Sequence, residues 1–175
     1  MIIIVLTYLS VIVLANVLTV AIPPLHLLGL LIPTSSWFMG LTFILGNRMV
    51  KEKGTNFSNA MIGAGLVLSS VACFLLGYSQ AIVIASGVAF LISQLAGTYL
   101  YRGLTKLDVR KSNEISSMTG SFIDVILFVV IGLSPLGTNA VQWIQIPNAV
   151  LGQLIVQLTV QYIAIQIMNK RGLLL

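Results

Sequence analysis

Apolar runs dominate the chain, and what interrupts them is sparse: prolines, a few charges and short polar clusters. A helix that crosses the hydrocarbon of a bilayer needs about 20 consecutive apolar residues. Cutting the chain at its interruptions predicts six such helices, over residues 2–22, 33–50, 60–78, 80–101, 115–133 and 146–168. The first must stop at Pro23 and Pro24, which cannot continue a helix. The apolar stretch 25–32 is too short to span and is expected to sit at the interface or to re-enter. A charged loop precedes the fifth helix, and Lys170 and Arg171 close the sixth. The first segment lacks a basic leader and an A-x-A cleavage site, so it reads as a retained helix rather than a signal peptide. The expectation is one all-α, polytopic domain over residues 1–175.

Composition agrees and removes the soluble alternatives. Hydrophobic residues make up 58% of the chain and charged residues only 7%, against about a quarter in soluble domains. With a mean hydropathy of +1.05, too little polar surface is left to cover a water-facing fold. The net charge of +5 would suggest nucleic acid in a soluble protein, but its distribution points elsewhere. Arg48, Lys51 and Lys53 follow the second segment, Arg102, Lys106, Arg110 and Lys111 follow the fourth, and Lys170 and Arg171 end the sixth. These are all 9 basic residues, and a six-span path puts every one on the same side. The opposite loops, 23–33, 78–80 and 134–145, have none. Basic residues collect on the cytoplasmic side, so both termini are expected there, in a multi-pass protein of the cell membrane. Orientation thus accounts for the charge, and no nucleic-acid partner is expected.

Lipid gives helices no hydrophobic reason to associate, so close packing falls to small residues spaced by four. Gly65, Ser69, Cys73 and Gly77 form one such stripe, and Ala85, Ala89, Ser93 and Gly97 another. They predict a tight antiparallel hairpin whose stripes face each other or a third helix. Such stripes also permit a homo-oligomer without demanding one. Cys73 is the only cysteine, which excludes a disulfide framework and a cysteine-based metal site.

An ionisable side chain in mid-membrane costs about 2.5–3.5 kcal/mol on insertion scales and is a functional candidate by default. Asp124 is the one found, roughly 14 Å into the fifth segment at about 1.5 Å per residue. No Lys or Arg lies at similar depth, so the carboxyl must be protonated, hydrated or held by amides and hydroxyls. Ser117, Gly120 and Ser121 precede it on an overlapping face. Its role is either a site or a structural bond between helices. Gln153, Gln157 and Gln161 recur every four residues on one face of the sixth segment, where they could line a polar cavity or bond across helices. With Gln94 and Asn16 they make a donor and acceptor set suited to a planar, amide-like ligand such as a nucleobase.

Trp37, Phe38, Tyr99, Tyr101, Trp143 and Tyr162 offer rings for stacking or for the interfacial belt, with Trp143 better suited to the belt. Tyr99 and Phe90 are the rings nearest Gln94 in the chain. His26 is the only histidine and has no ligand partners at metal spacing, so no metal site is expected and His26 reads as interfacial. No nucleophile elbow and no phosphate-binding loop occur, so neither hydrolase nor ATPase chemistry is expected, nor any cofactor.

Three runs resemble a known family. Leu14, Ala15, Asn16, Val17, Leu18 and Thr19 form the first. The second reads from Ala85, Ser86, Gly87 and Val88 through Ala89, Phe90, Leu91 and Ile92 to Ser93, Gln94, Leu95 and Ala96. The third places Gly120, Asp124 and Phe128 at intervals of four, and Gly152 with Gln153 adds a smaller match. Together they resemble the VUT family of six-span membrane proteins associated with uptake of queuosine precursors, which are 7-deazaguanines. The resemblance covers about residues 14–171. It implies an importer of such a precursor or of a related nucleobase-like molecule, with Asp124, Gln94, Asn16, Gln153, Gln157 and Asn47 as substrate-binding positions. Asn47 stands where relatives often have the first carboxylate of an acidic pair, and Glu52 meets the second only after a shift of one residue. Gln94 replaces an acid and Gln157 a lysine. Hydrogen-bonding capacity therefore survives where charge pairing does not. A proton carried by Asp124 is one available coupling mode. Two other classes fit six helices without a nucleotide motif: a substrate-binding subunit served by a separate ATP-driven partner, and a structural or pore-forming membrane protein.

Overall fold

A computed structural model describes residues 1–27, 29–78, 80–137 and 139–170, without the side chains of Gln80 and Ala81. Ser79, Arg171 and one residue in each of the two long uncharged loops, Leu28 and Thr138, lie outside the described residues. Six long helices appear in the expected order: α1 (Ile2–Ala21), α2 (Ser36–Lys53), α3 (Thr55–Leu75), α4 (Gln80–Gly103), α5 (Val109–Leu127) and α6 (Ile146–Lys170). α1 ends where the two prolines require.

Gly54 joins α2 to α3 alone, at φ +84°, a conformation that a side chain would strain. This sharp joint lets α3 begin at Thr55, earlier than residue 60. Thr55 and Ser58 are polar but buried, with the Ser58 hydroxyl 3.5 Å from the Gly46 carbonyl. α5 also starts earlier than residue 115, because Asp108 caps it by accepting from the Arg110 N–H at 3.1 Å. In both cases hydropathy marks the apolar part of a longer helix.

The helical architecture fits an all-α membrane protein, and one short segment departs from helix. Residues 25–32 form an antiparallel hairpin of β1 (Leu25–Leu27) and β2 (Leu30–Ile32), pairing Leu25 with Ile32 and Leu27 with Leu30. β2 packs on α6, where a methyl added at Gly152 would lie 2.7 Å from the Leu31 carbonyl. Pro24 and Pro33 bound the segment, and Gly29 at φ +78° lets the chain reverse between the strands.

Among the described residues, five helices are long and apolar enough to cross a membrane, and α2 is not one of them. Arg48, Lys51, Glu52 and Lys53 occupy its last turns, which leaves only about 18 Å of uncharged helix against a hydrocarbon core of about 30 Å. α2 instead occupies the centre, in contact with all five other helices. On one flank, α1 and α3 enclose an apolar cluster of Tyr8, Ile12, Met39, Met49, Ile62 and Phe90. On the other, α4, α5 and α6 close around α2.

The small-residue stripes face third helices rather than each other. Gly65 receives Ile12 of α1, whose Cδ1 lies 2.6 Å from where a Cβ would stand. Gly97 and Ala85 of α4 meet α5 and the turn that follows it, Gly97 within 3.4 Å of the Ser116 carbonyl on the same measure.

Candidate functional site

Five helices bring buried polar side chains to one seam. Asp124 is 1% exposed, and the backbone continues from its helix into a π-helical turn, Phe128–Leu133. Such turns widen a helix and are frequent beside functional groups. The Gln157 side-chain N–H donates to Asp124 Oδ2 at 3.1 Å. The Ser93 hydroxyl lies 3.4 Å from Oδ1 and 3.0 Å from the Phe90 carbonyl, and its one proton serves one of them at a time. No cation joins the carboxyl: the ion pairs among the described residues are Arg48 with Glu52 and Arg110 with Glu114.

Asp124 lines a cavity of about 10 Å³ together with Asn16, Ser35, Ser86, Phe128 and Gln153. That volume is about one water molecule. Asn16 is fixed there by two bonds, donating to the Ile12 carbonyl at 3.0 Å and accepting from the Ser86 hydroxyl at 2.6 Å. Three of the six positions singled out from sequence, Asp124, Asn16 and Gln153, thus share one cavity, and Gln157 reaches it through Asp124.

The other two are held elsewhere along the seam. Gln94 donates to the Thr42 hydroxyl at 2.7 Å, and its Oε1 lies 3.2 Å from the Cβ position of Gly46. Asn47, nearer the charged end of α2, divides its two N–H groups between the Ser116 and Ser117 hydroxyls at 2.8 and 3.1 Å. Gln161 continues the α6 ladder, donating to the Ser121 hydroxyl at 2.6 Å and toward the Ser117 carbonyl at 3.3 Å.

The ladder is incompletely satisfied. Gln153, Gln157 and Gln161 are all buried, and the side-chain oxygen of each lacks a hydrogen-bond donor. Leaving a buried acceptor unpaired costs about 1–3 kcal/mol, so each of these three oxygens has capacity for one more N–H or O–H donor.

Stacking candidates fare unevenly. Tyr99 is 55% exposed and takes a bond from Asn59 at 3.4 Å, facing away from the seam, while Phe90 is wholly buried in the apolar cluster. Trp37, Trp143 and Tyr162 are exposed, and Tyr101 is buried. His26 is exposed on β1. No group of His, Cys, Asp and Glu among the described residues is placed to hold a metal. Sequence reasoning missed Ser86 and Thr42, ordinary hydroxyls in apolar runs, and Tyr8, whose fully buried hydroxyl has no partner. Nothing in their spacing marks them.

A family model described as "Putative vitamin uptake transporter" matches residues 74–169, more than half of the chain. The match takes in α4, α5 and α6, with Gln94, Asp124, Gln153 and Gln157, and excludes Asn16 and Asn47. No curated protein and no solved structure matches the chain.

Proposed function

The chain belongs to the vitamin uptake transporter family and is a multi-pass membrane protein, and from that premise we propose that it imports a queuosine precursor of the 7-deazaguanine type. The observation that carries the reading is the α6 row of unpaired amide oxygens beside Asp124. A deazaguanine presents ring and exocyclic N–H groups on one edge and a carbonyl next to them, and acceptors in a row together with a carboxyl complement that edge. The amides at Gln94 and Gln157 keep this complementarity without fixed charge. α2 serves as the sixth crossing: enclosed by five helices, it needs little apolar surface of its own, and its basic end marks the cytoplasmic side along with both termini.

A cavity of about 10 Å³ admits no heterocycle, so import requires the helices that line it to part around Asp124 and close again. The test is the purified chain in liposomes, given 7-cyano-7-deazaguanine and no ATP. Accumulation of the probe supports a self-sufficient importer. Accumulation only when an ATP-driven partner is supplied would make the chain a binding subunit, and ion leakage without uptake would make it a pore.

A further inference from the structure

The α6 ladder does not end inside the core. Gln161, one turn or about 6 Å beyond Gln157, also lines a groove of about 350 Å³ between α5 and α6, with Arg110, Glu114, Met118 and Tyr162. The core cavity has the volume of about one water, whereas the groove falls within the range of about 300–1,000 Å³ typical of small-molecule sites. Its polar wall is specific. Arg110 Nε donates to Glu114 Oε1 at 2.8 Å, a bond that leaves the second carboxylate oxygen and both terminal guanidinium nitrogens for other partners. Gln161 is spent on Ser117 and Ser121 through its nitrogen, while its oxygen lacks a donor.

A carboxylate beside a guanidinium complements a ring edge that carries two adjacent N–H donors next to a carbonyl. The carboxylate accepts from the N–H pair, and the guanidinium donates to the carbonyl. This is the 2-amino-4-oxopyrimidine edge. The ring of Tyr162, 62% exposed, offers a face on which such a heterocycle can stack.

We propose that the α5–α6 groove is a second binding site for the transported heterocycle, through which it passes between the Asp124 core and the side of the membrane marked by Arg110 and Lys111. The inference rests on the deazaguanine reading above, and the ladder from Gln161 to Gln157 is the polar track that joins the two sites.

The test is calorimetric titration of 7-cyano-7-deazaguanine into the full-length chain in phosphatidylcholine nanodiscs, alongside import by the same variants in cells. The wild type is expected to bind. Glu114→Gln should weaken binding on the order of 10-fold, and Tyr162→Ala by a smaller factor while keeping the fold, since that ring is mostly exposed. Import by the wild type combined with undetectable binding, or with wild-type affinity in both variants, would overturn the groove and leave the import reading intact. Failure of the wild type both to bind and to import would overturn both. Displacement of the heterocycle by added phosphatidylglycerol, with no dependence on Glu114, would assign the groove to a lipid headgroup and overturn the proposal.

Discussion

The two flanks of α2 are held together by different chemistry. Between α1 and α3 the contact is apolar: Ile12 fills the space above Gly65, and Tyr8, Met49 and Ile62 close around it. Between α2, α5 and α6 the contact is hydroxyl and amide, with Asn47, Ser116, Ser117, Ser121 and Gln161 sharing hydrogen bonds. An apolar interface in lipid is a scaffold, since its strength comes from fit alone. A polar interface has alternatives, because each bond can be exchanged for one to a ligand or to water. The family match falls on α4, α5 and α6 and so takes in most of the polar flank while leaving α1 outside. Under the proposed import function, the apolar flank is the scaffold and the polar flank the recognition surface.

The largest break in this contrast should come at Asp124. Replacing it with alanine strips Gln157 of its acceptor and the cavity of its carboxyl, so import should fall by about 10- to 100-fold. An uptake time course on equal amounts of membrane protein measures this.

A second effect separates the flanks by stability. A methyl added at Gly120 would stand 2.5 Å from Phe43 Cε1 and 3.3 Å from the Ser93 carbonyl. Phe43 is 2% exposed, so its ring must shift within a packed core to make room. Overpacking of this kind costs about 1–3 kcal/mol, which exceeds the helix propensity of up to about 1 kcal/mol that alanine restores. Gly120→Ala should therefore lower the thermal midpoint in detergent. At Gly65 the obstacle is only the terminal methyl of Ile12. Turning it aside costs about 0.5–1.5 kcal/mol, close to the same propensity gain. Gly65→Ala should be nearly neutral in the same melt.

The smallest effect is at the charged end of α2. The hydrogen bond from Arg48 holds the Glu52 carboxyl below its ordinary value of 4.5. A depressed carboxyl stabilises the fold above that value and loses its contribution as pH falls through the folded pKa. The pair is partly exposed at the end of its helix, so Glu52→Gln should cost about 1 kcal/mol or less at neutral pH. Comparing its melting with the wild type at neutral and acid pH should show a slight gap that closes in acid.

Much of this arrangement was legible in the chain. Apolar runs mark α1, α4 and α6 nearly to their ends and the apolar parts of α3 and α5, because lipid demands continuous hydrophobicity. α2 was found but its character was not, since enclosure by other helices relieves that demand and hydropathy cannot see neighbours. The hairpin at 25–32 was recognised only as too short to span. Asp124 stood out through the cost of burying a carboxyl, and Gln153, Gln157 and Gln161 through their spacing. Their partners were invisible: Ser86 meets Asn16 across 70 positions and Ser93 meets Asp124 across 31, pairings fixed by the packing of helices rather than by local pattern. Asn47 appeared as one of a set with Asp124, yet sits with Ser116 and Ser117 farther along the seam.

The most direct measurement uses bacterial cells that can neither make nor import queuosine precursors, supplied with low 7-cyano-7-deazaguanine and scored by queuosine in their tRNA. The chain should restore queuosine, Asp124→Ala should not, and Phe122→Leu, at a position 54% exposed on the outer face of α5, should match the wild type. Equal recovery with Asp124→Ala and Phe122→Leu, or no recovery with wild-type protein present in the membrane, would contradict the assignment of deazaguanine import to the polar seam.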